Sequence, residues 1–348
     1  MNNDAIDRVP WGAVGVVGAA AGLYLLARAR RRRRYAVRDK VVVITGSSRG
    51  LGLQLARELG AAGGRIVVVA RDPAGVRRAV EDLRRRDIVA MGIPCDVTTP
   101  AGVTALVDGV RSGYGHIDVL VNNAGTIDVG PVEHVTEQDH RDAFELHVMA
   151  PMRLIEAVRP QMEARGGGQI VNITSIGGAM PVPHMVPYCA SKHALVGLSR
   201  GYRVELGRRG IVVTTVIPGL VRTGSPRNAT FKGKHHAEYT WFTLAESAPL
   251  FAVPVGAAAR RIRRAVERGD TEVVVGAITR LGLSAQALAP RLTQGLLAAF
   301  NRVLLPSPSR TAGNRSWSGE ESTTLLTRSP LLLLNHRAER RQHERGAP

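Results

Sequence analysis

Between Lys40 and Gly52 the chain reads KVVVITGSSRGLG, and no other stretch of the 348 residues restricts the fold so much. Lys40–Thr45, with Val41–Ile44 all β-branched, predicts a short buried strand. The turn after it is rich in Gly and Ser. Beyond it Leu51, Leu55 and Leu59 recur four apart, the spacing of one helix face. A strand running through a tight turn straight into a helix opens a strand–helix–strand unit, in which the helix must return to cover the sheet.

The alternation repeats. Arg65–Ala70, Ile88–Cys95, Ile117–Val121, Gln169–Ile173 and Ile211–Val216 predict further strands, and Val76–Arg86, Val103–Tyr114, Asp139–Met162 and Tyr188–Glu205 predict helices between them. Val255–Glu267 adds an Arg-edged helix and Thr271–Val275 a last strand. The expected architecture is α/β, a doubly wound, mostly parallel sheet in a three-layer α/β/α sandwich over residues 38–278. Residues 224–236 are expected to form a mobile loop beside the substrate site. Residues 279–305 are expected to form an apolar, partly helical segment interrupted by Pro290, and residues 306–348 a flexible tail. Leu331–Leu334 is an apolar patch in that tail with no assignable role.

The formal charge is +18, from 47 Lys and Arg against 29 Asp and Glu, which raises nucleic acid as a partner. Its distribution argues against that: residues 40–225 hold 21 basic and 17 acidic side chains, too balanced for a strong field. The excess lies in the flanks. Trp11–Ala27 is a run of 17 residues without a charge, followed by Arg28 and Arg30–Arg34. Residues 1–37 therefore form a candidate membrane anchor, and basic residues behind the run place the remainder on the cytoplasmic face. A peripheral segment held by lipid headgroups, or a buried helix in a soluble cytoplasmic protein, is the alternative. The two cysteines, Cys95 and Cys189, cannot build a disulfide framework or a four-thiolate metal site, and no other ligand spacing points to a metal.

In the stretch TGSSRGLG, Gly46, Gly50 and Gly52 permit the tight turn and close backbone approach that a pyrophosphate needs at a helix N-terminus, with Ser48, Arg49 and Leu51 between them. An NAD-binding version places Asp or Glu at the end of the second strand to hold the ribose diol. Here that strand ends Ala70–Arg71, so Arg49 and Arg71 favour a 2′-phosphate and NADP(H). Asp72 follows directly, and a shift of one residue would bring NAD(H) back.

Tyr188 and Lys192 are four apart on a predicted helix and share a face. An adjacent ammonium favours the phenolate, which suits Tyr188 to exchange a proton with an alcohol or carbonyl oxygen. Ser175 follows a predicted strand, where its hydroxyl can orient that oxygen. Together with the Gly-rich turn, these residues make the chain resemble the short-chain dehydrogenase/reductase family over residues 38–225, and more loosely to 278. The resemblance includes NNAG at Asn122–Gly125, YCASK at Tyr188–Lys192 and PGLVRT at Pro218–Thr223.

It implies a Rossmann-type fold with a seven-stranded parallel sheet, a homo-oligomer, and a catalytic trio of Ser175, Tyr188 and Lys192. It implies also that Lys192 and Tyr188 contact the nicotinamide side. Asp96 and Val97 would lie by the adenine, Asn123, with Ala124 and Gly125, on the cofactor side, and Pro218, Gly219 and Thr223 beside the nicotinamide. One departure stands out: where the family commonly has an Asn completing a proton relay, this chain has His147. An imidazole can replace it with altered geometry and a sensitivity to pH.

The expected reaction is hydride transfer between a nicotinamide and a carbonyl or secondary alcohol. Apolar residues in the segment 176–187, at Trp241–Phe242 and at Leu250–Val253 suggest a lipophilic substrate. A non-catalytic nucleotide sensor or scaffold, or a lyase or epimerase on the same fold, is the alternative.

Overall fold

The computed structural model describes residue 22 and residues 35–249, 251–328 and 333–344. Gly22 apart, the expected anchor over residues 11–27 and the run Arg28–Arg34 lie outside the described residues, as do Leu250, Leu331 and Leu332. Among the described residues no helix is long and apolar enough to cross a membrane.

Val41–Thr45 forms β1 with all five residues buried, because the strand takes its place in the middle of the sheet. In chain order the main elements continue as α1 (Gly50–Ala61), β2 (Arg65–Ala70), α2 (Pro73–Arg84), β3 (Ala90–Pro94), α3 (Pro100–Tyr114), β4 (Val119–Asn122), α4 (Glu137–Phe144) and α5 (Ala150–Ala164). Then follow β5 (Gly168–Ile173), α6 (Val186–Leu206), β6 (Ile211–Pro218), α7 (His235–Ser247), α8 (Val255–Arg268), β7 (Glu272–Val275), α9 (Ala277–Leu288), α10 (Pro290–Leu304) and α11 (Leu333–Arg341). The seven strands pair in the order β3-β2-β1-β4-β5-β6-β7, and every pairing is parallel.

The two-residue period of a strand builds the three layers. Val42 and Ile44 pack with Leu53, Leu59, Val76, Leu83, Ile262 and Val266 from α1, α2 and α8. Val41 and Val43 point the other way, into Leu106, Val110, Leu154, Val158 and Leu206 from α3, α5 and α6. The strand order reverses between β1 and β4. Crevices at the carboxyl ends of strands at such a reversal are where ligands bind in open α/β sheets.

The helix expected over Asp139–Met162 forms, with a π-helical turn, Glu145–Met149, between α4 and α5. Two segments differ from the sequence expectation. Residues 224–236 are a built element: Thr230–Phe231 pairs in parallel with Asp128–Val129 and antiparallel with Trp317–Ser318. Phe231 is fully buried against Tyr239 and Phe242, and the Lys232 ammonium lies 2.5 Å from Asp139, so the segment is fixed at both of these residues. The described residues of the segment 306–348, expected as a flexible tail, make specific contacts with the body. Ser309 N–H donates to His134 Nε2 at 3.0 Å, Trp317 stacks on His235, and α11 with the residues after it lies against the Gly-rich turn. Polar side chains, backbone and one aromatic stack make these contacts, so apolar patterning did not reveal them.

Candidate active site

The turn between β1 and α1 is held from both sides. Ser47 Oγ donates to Ile44 O at 2.6 Å and accepts from Val69 N–H at 3.1 Å, tying the turn to β1 and β2. Gly46 and Gly50 have φ of +64° and +59°, a region side chains disfavour. Gly52 is required by contact: a Cβ there would lie 2.3 Å from Gly46 O and 2.5 Å from Asn123 Nδ2. Ser48 sits over the start of α2, close to Gly75, and Leu51 packs at the edge of the core.

Asn123 is bound into this turn. Its amide donates to Thr45 O at 2.9 Å and Gly46 O at 3.1 Å, while Thr45 Oγ1 accepts from the Asn123 and Ala124 N–H groups. Thr45 thus couples β1 to β4, a role its place before Gly46 hints at.

At the end of β2, Arg71 is exposed, and Asp72 has another role. Its carboxylate caps α2, accepting from Ala74 N–H at 3.0 Å and Gly75 N–H at 2.8 Å. Asp96 accepts from the Thr98 N–H and hydroxyl; burial works to raise its carboxyl, but Thr98 and the Arg71 charge hold it below the usual range. Val97 beside it is buried.

The catalytic candidates meet past the ends of β4 and β5. Ser175 follows β5 and its Oγ accepts from Gly177 N–H at 3.1 Å. Tyr188 and Lys192 share one face of α6, with the ammonium 5.8 Å from the Tyr188 ring centroid and donating to Ile173 O at 3.1 Å. Burial pushes the Tyr188 phenol up to about 12, partly offset by Ser175, and pushes Lys192 down to about 7. The expected depression of the phenol by a neighbouring ammonium is therefore absent in this state: the lysine engages a carbonyl, and desolvation dominates both groups.

His147 joins the same cluster. The π turn carries it inward, where its ring meets Tyr188 edge-on at 5.6 Å between centroids. Nε2 accepts from Thr126 N–H at 3.2 Å, which assigns the proton to Nδ1, donating to Ser191 Oγ at 2.8 Å; Ser191 in turn donates to Tyr188 O. A Cβ on Gly125 would fall 3.1 Å from His147 Nε2 and 3.5 Å from Lys192 Nζ, so Asn122–Gly125 forms one wall of this cluster. Burial, then the Lys192 charge, hold the imidazole well below its ordinary pKa. It stays neutral at physiological pH, against the expected pH sensitivity.

Gly219 N–H donates to Val275 O at 3.0 Å just after Pro218 ends β6. Thr223 is positioned by a residue that sequence reasoning missed. Glu246 on α7 accepts from Thr223 N–H at 2.9 Å and Gly224 N–H at 3.2 Å, and burial pushes its carboxyl up to about 7. Glu344 was missed as well. Its carboxylate lies against Gly50, 3.6 Å from Arg49, and burial pushes it up to about 8 against the pull of that arginine. Nothing in the local pattern of either segment marks a buried acid.

Tyr188 borders an apolar cluster of Val129, Met185, Phe231 and Phe242, with Ile127, Val182 and Trp241 packed against it. Phe242 is core, whereas Trp241 is half-buried and donates to Glu238 Oε2 at 2.6 Å. Val253, expected in the pocket wall, pairs in a short strand with Val221. His184 contacts Glu238, and His235 and His236 contact Ser322; among the described residues no group of three or more potential metal ligands forms.

Known proteins resemble this chain in sequence and in fold. A family model described as short chain dehydrogenase matches residues 40–232. A putative ketoacyl reductase of Streptomyces coelicolor is 40% identical over 187 residues, covering 53% of this chain and 72% of that protein. The dehydrogenase/reductase SDR family member 4 of Homo sapiens is 34% identical over 217 residues, covering 62% and 78% respectively. The crystal structure of L-sorbose reductase from Gluconobacter frateurii, complexed with NADPH and L-sorbose, superposes with a TM-score of 0.63 at 30% identity, covering 69% of this chain and 96% of that one.

Proposed function

The chain belongs to the short-chain dehydrogenase/reductase family of oxidoreductases, and from that premise we propose that it uses NADP(H) to interconvert a lipophilic carbonyl compound and its secondary alcohol. The convergence of Ser175, Tyr188 and Lys192 beside the Gly-rich turn carries the reading of the reaction. The cofactor preference rests on Asp72. A carboxylate engaged as the cap of α2 is withdrawn from reading a ribose diol, while Arg71 stands exposed where a 2′-phosphate would be met.

The turn fits a dinucleotide, since the contact at Gly52 and the left-handed Gly46 and Gly50 bring the backbone to the surface there. NADPH, when bound, supplies the hydride. The Tyr188 hydroxyl gives its proton to the substrate oxygen in reduction and recovers it in oxidation. Ser175 Oγ donates a hydrogen bond to the same oxygen and fixes its place. The Lys192 ammonium offsets the negative charge that passes through Tyr188, and a charged cofactor phosphate or ribose contact would favour its protonated form. His147, neutral and donating through Nδ1, holds Ser191 and the backbone of Tyr188 in position. The apolar cluster around Met185 and Phe242 supports an apolar substrate body, and the relative that reduces L-sorbose marks the sugar-like alternative.

Tyr188→Phe tests the assignment. Turnover in NADPH-coupled reduction of a panel of carbonyls is expected to fall about 10²–10⁴-fold, with the NADPH dissociation constant nearly unchanged. Near-normal turnover by the variant would overturn it.

A further inference from the structure

We propose that the C-terminal segment, residues 333–344, is a built-in competitor for the cofactor site, with Gln342 and Glu344 taking the positions on the Gly-rich turn that a dinucleotide diphosphate needs. The inference deepens the proposed function and rests on the reading that this turn holds the diphosphate.

The observations are atomic. Gly50 N–H, at the start of α1, donates to Gln342 O at 2.9 Å. A Cβ on Gly50 would fall 2.6 Å from Glu344 Oε1, so the carboxylate fills the space that glycine leaves open. Arg49 Nε lies 3.6 Å from Glu344 Oε2, and Asn228 Nδ2 donates to that oxygen at 2.7 Å and to Glu344 O at 3.0 Å. The Gln342 carbonyl oxygen on the Gly50 amide, with the Glu344 carboxyl beside it and Arg49 at its flank, offers the acceptor oxygens that a phosphate would bring to a helix N-terminus.

The rest of the segment clamps it down. Arg57, on α1, donates to Arg341 O at 3.0 Å and Gln342 Oε1 at 3.3 Å, while Gln342 Nε2 donates to Gln54 Oε1 at 3.2 Å. On the far side Glu339 packs against Gly224, where a Cβ would meet its Cγ at 2.5 Å. The segment therefore bridges the Gly-rich turn and the loop after β6, the two walls between which the cofactor would lie. His343 has a φ of +57°, and this left-handed kink lets Gln342 O and the Glu344 carboxylate face the turn together.

The hold at the turn is polar, made of the Gly50–Gln342 hydrogen bond and the contact of Glu344 with Arg49, both of which a bound diphosphate can replace. Nucleotide and segment then exclude one another, and the measured cofactor affinity is the intrinsic one reduced by the fraction of molecules with the segment released.

The test uses the full chain. Glu344→Ala removes the carboxylate, and Asn228→Ala removes its partner from the opposite side. Both are expected to tighten NADPH binding about five- to tenfold, read from the fluorescence of bound NADPH. In the unmodified chain, saturating NADPH is expected to raise amide hydrogen exchange over residues 333–344. NADPH binding that is unchanged or weakened in both variants, together with exchange that stays the same or falls, overturns the competition while leaving the cofactor reading intact. Failure of the chain and both variants to bind either NADPH or NADH overturns that reading and the inference with it.

Discussion

Replacing Glu246 by Gln should change how stability responds to pH. Glu246 is only 1% exposed, and its Oε1 accepts hydrogen bonds from Thr223 and Gly224 while Oε2 has no partner. Burial raises its pKa from 4.5 to about 7 in the folded chain. Below pH ~4.5 the carboxyl is protonated in both states and adds no penalty. As pH rises from there to about 7, the unfolded chain releases the proton and the folded chain keeps it, so stability falls; above about 7 the loss is complete. A rise of that size corresponds to about 3 kcal/mol at 1.36 kcal/mol per pKa unit, with no discount for solvent screening because the group is buried. In the variant, the amide oxygen of the new side chain can still accept from the same donors but does not titrate.

The assay is urea unfolding of wild type and Glu246→Gln at pH 5, 6, 7 and 8, with the difference in unfolding free energy plotted against pH. That difference should shift by roughly 2–3 kcal/mol in favour of the variant between pH 5 and 8. Because the Glu246 charge also helps to raise Glu344, part of the shift passes through that second carboxyl. A difference that stays flat to within about 0.5 kcal/mol would refute the reasoning.

His147→Ala should cost about 2–4 kcal/mol of stability, from a lost ring and an unmatched Thr126 N–H, measurable by the same unfolding assay. Its rate–pH profile between pH 6 and 9 should keep the wild-type shape, since the imidazole is already neutral; loss of an inflection would show that His147 titrates there. Gly52→Ala should lower the melting temperature and raise the NADPH dissociation constant at least about tenfold, because its Cβ would collide with Gly46 O; near-native values for both would mean the turn can relax.

The sheet was readable because a central parallel strand is buried on both faces, so Val41–Ile44 and Ile66–Ala70 appear as unbroken apolar runs. Tyr188 and Lys192 were readable because four residues is one helical turn, which places them on one face of α6 whatever the packing around it. What the sequence hid has a common cause. The two-residue strands at Asp128–Val129, Thr230–Phe231 and Trp317–Ser318 are too short to show a period. Glu246 and Glu344 are positioned by hydrogen bonds to loops distant in the chain, and no local pattern encodes such a contact. Asp72 could be located to within one residue from sequence, and only the capping geometry shows where its carboxylate points.

The π-helical turn at Glu145–Met149 bears on how this chain tolerates changes in length. A wide turn of this kind holds one residue more than a regular turn, and removing it would leave a continuous α-helix with its backbone bonds still made. The result would be rotation: α4 and α5 would change phase by about 100°, the angle per residue of a regular helix. His147 would then turn away from Ser191 and Thr126, or Leu154 and Val158 would turn off the sheet. A single-codon deletion here would thus preserve the secondary structure and misdirect either the site or the core, whereas an exposed loop could lose a residue with neither result.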